Sequence, residues 1–396
     1  MGRRHCPTSV SDKNRYTRNG KHALLDLHSY FTAPVAIATA ELLRWRGQWL
    51  VRVRSKAGGE GVAVASERMA YLWPIAVERV LPFFVGQDAR EVERLVDEVA
   101  RHESNYKLAG LAFWVCVAAV EAAVFDLLGK NAGKSVGELL GGKRRQDIPV
   151  YLSSMRRDTA PEEEVARLSE RLAETGARAV KFKIGGRMWN NMDASPGRTE
   201  RLVALARKVL GDDITILADA NGSYDAHVAV KVGRMLEAHG VRVFEEPCPW
   251  EDFEATKHVA DQLELQVAGG EQDTSLEKFR WMVQNRTVDL VQPDVVNNGG
   301  FVRTLRVARL AAEAGLKISP HSAKSDYRAC YMLHVATAME NLGPFQEFPV
   351  ERPRNRGAWY DPTFEVKAGV VPAPTGVGLG MTIEASVFRK AKVVKG

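Results

Sequence analysis

Residues 214–247 read ITILADANGSYDAHVAVKVGRMLEAHGVRVFEEP. A short β-branched run, Ile214 to Ala218, ends on Asp219. A helical stretch follows, and a second run, Val241 to Phe244, ends on Glu245. Apolar runs this short and this continuous read as strands buried on both faces, with a crossover helix between them, so the unit is parallel β–α–β. The same cadence extends both ways. Upstream lie Val150-Tyr151-Leu152 and Ala179 to Ile184; downstream lie Leu265 to Ala268, Asp289 to Gln292, Leu316 to Ser319 and a last short strand near Phe345. Amphipathic stretches separate them at Pro161 to Gly176, Ser275 to Gln284, Val302 to Ala314 and Asp326 to Met339. In the first of these Val165, Leu168 and Leu172 share a face, and Pro161 suits the first helical turn. Seven strand–helix pairs and a final strand predict an α/β protein built on a modified (β/α)7β TIM barrel.

That barrel accounts for residues 149–362. Residues 23–148 read as an α+β capping domain: Trp49 to Arg54 alternates like a half-buried strand, Gly58, Gly59 and Gly61 mark a turn, and Asp88 to Leu140 is mainly helical. The apolar segment 363–396, with Pro372 and Pro374, is expected to return to the cap and complete it. Residues 1–22 form a basic leader expected to be flexible. Arg3, Arg4, Lys13, Arg15, Arg18 and Lys21 against Asp12 give it a charge of 6 − 1 = +5, out of a net +6 for the chain. The folded part is thus nearly neutral, which argues against a nucleic-acid partner.

The 396 residues are 45% apolar, 26% charged and 8% aromatic, which excludes collagen-like, disordered and disulfide-scaffold classes. The longest apolar run, Leu111 to Val120, falls short of the ~20 residues a membrane span needs and reads as a buried helix. Cys6, Cys116, Cys248 and Cys330 are too scattered for a disulfide framework or zinc site, so a cytoplasmic location is expected. No dinucleotide fingerprint, P-loop or nucleophile elbow is present.

Active-site groups of such barrels come from the C-terminal strand ends. Here those ends carry Lys181-Phe182-Lys183, Asp219, Glu245, Glu271, Asp294, His321 and Glu347. From Asp219 onward the steps are 26, 26, 23, 27 and 26 residues, about one βα unit each, so polar groups recur at one height. Asp219, Glu245 and Glu271 lie on consecutive strands. Converging carboxylates repel, and a hard dication such as Mg²⁺ resolves the repulsion. Glu245 and Glu246 are adjacent, so only one is expected to enter the mouth. Lys181 and Lys183 share a face, and two ammonium groups so close are expected to depress each other, favouring a neutral amine base. Asp294 can fix the tautomer of His321 and leave its other nitrogen free for proton transfer. Glu347 could donate or accept a hydrogen bond at a developing oxyanion.

This ordered set resembles the enolase superfamily, mandelate racemase subgroup. The segment Ala119 to Gly142, with Phe125-Asp126-Leu127-Leu128-Gly129-Lys130, and the closing Gly376-Val377-Gly378-Leu379-Gly380 are also similar to that family. The resemblance implies that Asp219, Glu245 and Glu271 bind Mg²⁺, with Asn221 at a polar position near the metal. It implies that Lys183, tuned by Lys181, works on one face of the substrate and His321, held by Asp294, on the other, with Glu347 partnering a substrate carboxylate oxygen. The activity implied is abstraction of the α-proton of a small-molecule carboxylate through an enediolate, with dehydration of an acid sugar to a 2-keto-3-deoxy acid as the first reading. The alternative is a racemase or epimerase of a hydroxy acid or amino-acid derivative. Lys324, together with Arg187, Asn190, Asn191 and Arg328, could hold a polyol. Tyr30 and Trp73 of the cap could cover the mouth. No membrane partner is expected, and a homo-oligomer is.

Overall fold

The computed structural model describes residues 23–108, 110–142, 144–188, 190–351 and 359–396; the basic leader 1–22 lies outside the described residues. In the cap, β1 (Ile37–Trp45), β2 (Gln48–Ser55) and β3 (Glu60–Val64) form an antiparallel meander, with the expected glycine turn between β2 and β3. The helix Leu111–Ala132 packs across it. Most of its residues are buried, so the run that is long and apolar enough to cross a membrane is a core helix. Cys116, Cys248 and Cys330 are buried free thiols.

The barrel follows as β4 (Asp147–Ser153), β5 (Ala179–Lys183), β6 (Thr215–Asp219), β7 (Val243–Glu245), β8 (Gln266–Gly269), β9 (Leu290–Val291), β10 (Lys317–Ile318) and β11 (Gln346–Pro349). All their mutual pairings are parallel, in the order β10-β9-β8-β7-β6-β5-β4-β11. Helices Pro161–Thr175, Arg198–Leu210, Ala226–Ala238, Phe253–Gln262, Leu276–Gln284, Phe301–Glu313 and Ala329–Ala338 occupy the crossovers. Closure between β10 and β11 is not a regular ladder. The chain entering β11 makes it: Ile318 N donates to Asn341 O (3.0 Å), Gly343 N donates to Ile318 O (2.7 Å) and Ser319 Oγ donates to Phe345 O (3.0 Å).

Strand alternation places the site. Tyr151, Ala179, Leu217, Val243, Ala268, Leu290 and Phe345 pack together as an apolar layer inside the barrel. Two residues further along several of these strands, the same inward face carries Ser153, Lys181, Asp219, Glu245, Gln292 and Glu347. The polar layer therefore rests on a sealed hydrophobic floor and meets solvent only from the C-terminal side.

The tail returns as the sequence suggested. Beyond β12 (Tyr360–Asp361), β13 (Val370–Pro372) adds antiparallel to β4, and β14 (Thr382–Ile383) pairs back with β12. Finally β15 (Lys392–Val393) joins the cap sheet beside β1. Short β12 and β14 were not anticipated within or after the expected loop; two-residue ladders leave no periodicity to read.

Glu121 locks cap to barrel. It is fully buried on the Leu111–Ala132 helix, and its carboxyl accepts from Phe301 N (2.5 Å) and Val302 N (2.9 Å), the free donors at the start of helix Phe301–Glu313. Gly300 precedes them with φ 109°, and a Cβ there would collide with the Glu121 carboxyl. Burial pushes this carboxyl up to about 8, against the N–H bonds that favour the anion. The folded protein then holds a proton that the unfolded chain releases above its ordinary value of 4.5. We predict that Glu121→Ala, which orphans two buried donors, costs about 3 kcal/mol at pH 5. The stabilisation by Glu121 shrinks as pH rises toward 8, which denaturant titrations of both proteins across that window will measure.

Candidate active site

Asp219 and Glu245 are the last residues of β6 and β7, paired in register with each other, and Lys183 pairs with Asp219 at the end of β5. Glu271 lies two residues past β8, and Glu347 lies within β11. All five side chains are buried, as are Lys181 and Asn221. The Lys183 ammonium donates to Asp219 Oδ2, and Asp219 Oδ1 accepts from Asn221 N (2.8 Å). Lys181 Nζ donates to Glu245 Oε1 (2.6 Å), pairs with Glu347 Oε1 (3.0 Å) and lies 3.7 Å from Asp219 Oδ2. Glu245 Oε2 accepts from Gln292 Nε2 (2.8 Å), while Glu347 accepts from Ser153 Oγ (2.7 Å) and Ser322 N (3.1 Å).

The expected mutual depression of the two lysines does not govern Lys181. Burial alone would lower its pKa, but Glu245, Glu347, Tyr151 and Asp219 outweigh burial and hold it well above the usual range. Lys181 is a fixed cation. Glu347 is correspondingly held down to about 2: burial opposes this, and Lys181, His321 and Lys183 prevail. It stands as an acceptor, not a donor.

On the opposite arc, His321 Nδ1 meets Asp294 Oδ2 (2.7 Å), while Nε2 lies 3.2 Å from Glu271 Oε2 and 3.3 Å from Glu347 Oε2. Asp294 is itself fixed by N–H donors of Val296 and Asn297 through Oδ1, both at 2.8 Å. Burial disfavours the imidazolium, yet Glu271, Glu347 and Asp294 carry its pKa up to about 10, so both ring nitrogens donate.

Glu246 departs from the expectation that one residue of the Glu245–Glu246 pair turns away. Its φ of 41° breaks the strand alternation, and its carboxyl returns to the same rim, where Oε2 accepts from Asn221 Nδ2 (3.2 Å). Its Oε1 is buried with no hydrogen-bond partner. Burial, then Glu271, Asp219 and Glu245, push it well above the ordinary range.

Among the described residues, no three acidic, His or Cys side chains already surround a common metal position, because lysine ammoniums sit on the carboxylate oxygens. The donor set nonetheless suits a hard dication. Asp219, Glu245, Glu246 and Glu271 are all buried oxygen donors set among Lys181, Lys183, His321 and, beside Asp219, Arg157, and one of their oxygens is unpartnered.

Comparison with known proteins gives the family. Residues 163–387 match the enolase C-terminal domain-like family, and residues 30–141 match the mandelate racemase/muconate lactonizing enzyme N-terminal domain. The chain belongs to this enolase-superfamily family. It is similar to an arabinonate dehydratase of Saccharolobus solfataricus, at 29% identity over 80% of this chain and 83% of the relative. A crystal structure from Roseobacter denitrificans superposes with a TM-score of 0.85 at 34% identity, covering 91% of this chain and 99% of the other. A mandelate racemase/muconate lactonizing protein from Paracoccus denitrificans, solved with magnesium, gives 0.81 at 26% identity over 91% and 99% of the two chains.

In this enolase-superfamily chain, the cap meets the barrel mouth through the residues just after β3. Ser66 and Arg68 line a cavity of about 40 Å³ with Asp294, Asn297, His321, Ser322, Lys324 and Arg328. Lys324, expected to touch substrate, instead pairs with Glu67 (2.9 Å), and Arg328 pairs with Glu67 and with Asp326 (2.6 Å). Asn191 is tied to Asp225 (2.7 Å). Tyr30 is exposed and Trp73 packs half-buried on the main core; neither lines this cavity. The sequence reading missed Ser153, Arg157, Gln292 and the Ser66–Arg68 turn. The interior periodicity of β4 and β9 could have pointed to Ser153 and Gln292.

Burial works against the Glu67 carboxylate, but Arg328 and the Lys324 hydrogen bond hold it down to about 2. Its contact with the barrel is therefore complete above about pH 4.5 and is lost as pH falls toward 2. Glu67→Gln should free the barrel segment at neutral pH, read as faster amide exchange over residues 320–328 in the variant than in the parent.

Proposed function

We propose that this enzyme is an acid-sugar dehydratase that removes the α-proton of a sugar acid and expels its β-hydroxyl, giving a 2-keto-3-deoxy acid. One observation carries the proton abstraction: Lys183 on β5 and His321 after β10 stand across the mouth from one another, separated on one arc by the strands that bring Asp219, Glu245 and Glu271; dehydration as its outcome is supported by the similarity to the arabinonate dehydratase. A substrate carbon lying between them meets a proton-transfer group on each face.

Asp219, Glu245 and Glu271 would hold Mg²⁺, which when bound supplies Lewis-acid stabilisation to the charge that accumulates on the substrate carboxylate. To act as a base Lys183 would leave Asp219 and give its ammonium proton to solvent, and the neutral amine that results is the group that takes a proton from the substrate. Lys183 Nζ accepts the α-proton, and Lys181, pinned between Glu245 and Glu347, keeps a positive charge beside the developing anion. His321, already an imidazolium, gives its Nε2 proton to the departing β-hydroxyl, which leaves as water, and the enol product tautomerises to the keto acid. Asp294 keeps the ring oriented throughout. Glu347, held as an anion between Lys181 and His321, would accept a hydrogen bond from the substrate and keep both cations in place.

The test is a panel of acid sugars incubated with Mg²⁺ in D₂O. Keto-acid formation, read with semicarbazide, is expected. It should fall by at least about a thousandfold in Lys183→Ala and in His321→Asn, and by a similar factor on chelation of the metal, with recovery on adding Mg²⁺. Turnover that persists in both variants refutes the two-group mechanism. Deuterium at the α-carbon without loss of water makes the enzyme an epimerase instead, a reading that the same pair of opposed groups serves.

A further inference from the structure

Arg157 sits in the loop after β4, and its guanidinium is spent on almost nothing. Nη2 donates to Asn221 Oδ1 (2.8 Å), while the buried Nε has no partner. No carboxylate pairs with it among the described residues, and the stretches outside them contain one acid, Asp12. Burial lowers its pKa; the charge of Asp219 opposes that, while Arg187 and Arg198 add like charge. Arg187 follows β5 in a left-handed turn (φ 70°), is exposed, and its side chain has no acidic partner among the described residues. A partly buried guanidinium with its Nε shut away from any partner, beside a second guanidinium, is costly unless something anionic arrives.

The loop is braced to keep Arg157 where it is. Arg198, fully buried, donates to Thr159 O (2.8 Å), Thr159 Oγ1 (3.2 Å) and Lys183 O (3.1 Å), tying the loop to the end of β5. Arg167 donates to Ser154 Oγ (2.5 Å), and Thr159 Oγ1 donates to Glu164 Oε2 (3.0 Å). Neighbouring Arg156 points outward and is satisfied by Asp158 (3.1 Å) and Glu163 (3.3 Å). Of two adjacent arginines, the inward one alone is left without an acid.

Asn221 stands between Arg157 and the carboxylate rim, bonded to Arg157 on one side and to Glu246 on the other. Arg157 is thus displaced from the position of the reacting carboxylate. Hydroxyl groups could use its donors but could not neutralise its charge; a carboxylate does both, in bidentate fashion. We infer that Arg157, assisted by Arg187, receives a second carboxylate at the far end of the substrate, so that the preferred substrates are diacid sugars. This rests on the acid-sugar reading above.

The experiment compares kcat/KM for galactarate and glucarate with galactonate and gluconate, for the parent, Arg157→Met, Arg157→Lys and Arg187→Met, each with Mg²⁺ and each checked by thermal melting. We expect the parent to favour diacids by about 100-fold, and Arg157→Met to collapse that ratio below about fivefold, chiefly through KM. Arg157→Lys should restore part of it, and Arg187→Met should lower it several-fold. A parent that prefers monoacids overturns the inference, as does an Arg157→Met variant that loses both classes in proportion, which marks a structural role. Calorimetric binding of galactarate against galactonate gives a readout that does not need turnover. If no acid sugar is turned over, the reaction reading fails on its own. Tighter galactarate binding that is lost in Arg157→Met or Arg187→Met still supports the anion site, and equal binding of the two probes overturns it.

Discussion

An excess of negative charge, buried where water cannot screen it, organises this molecule. Asp219, Glu245, Glu246, Glu271 and Glu347 share one rim with Lys181, Lys183 and His321 as their cations. Burying so many carboxylates is unfavourable unless each charge is met by an opposite one or a proton. The response differs at each member: Asp219 is drawn down by Lys183 and Lys181 against burial, Glu347 likewise by Lys181 and His321, and Glu246 is driven up by burial and its acidic neighbours. In a site under this tension every change of charge at one group is felt by the rest.

The fold supplies what that tension requires. A barrel interior alternates by strand period, so an apolar layer from Tyr151 to Phe345 closes the floor and raises the local field above it. The cap closes from the other side through the turn after β3, and Glu121 ties it to the helix whose preceding loop carries Asp294.

Much of this was legible in the sequence because the relevant signals are periodic. The barrel strands lie within about three residues of their expected bounds, and the cadence of about 26 residues marks the strand ends at which the acids sit. Three features were not legible, each for a physical reason. Glu246 re-enters the rim because one residue takes a positive φ, which no side-chain pattern encodes. Lys181 stays charged because Glu245 and Glu347, both far away in sequence, outweigh its burial. Lys324 is engaged by Glu67 across the cap–barrel boundary, a pairing that only tertiary structure creates.

The central claim is that the rim carboxylates share one dication. Titration of the metal-free protein with Mn²⁺, followed by electron paramagnetic resonance of the free ion, measures this directly. The account predicts one tight site per chain that is weakened by at least about 100-fold in Asp219→Asn and in Glu271→Gln. Stoichiometric binding that survives both substitutions, or no binding by the parent at millimolar Mn²⁺, would contradict it.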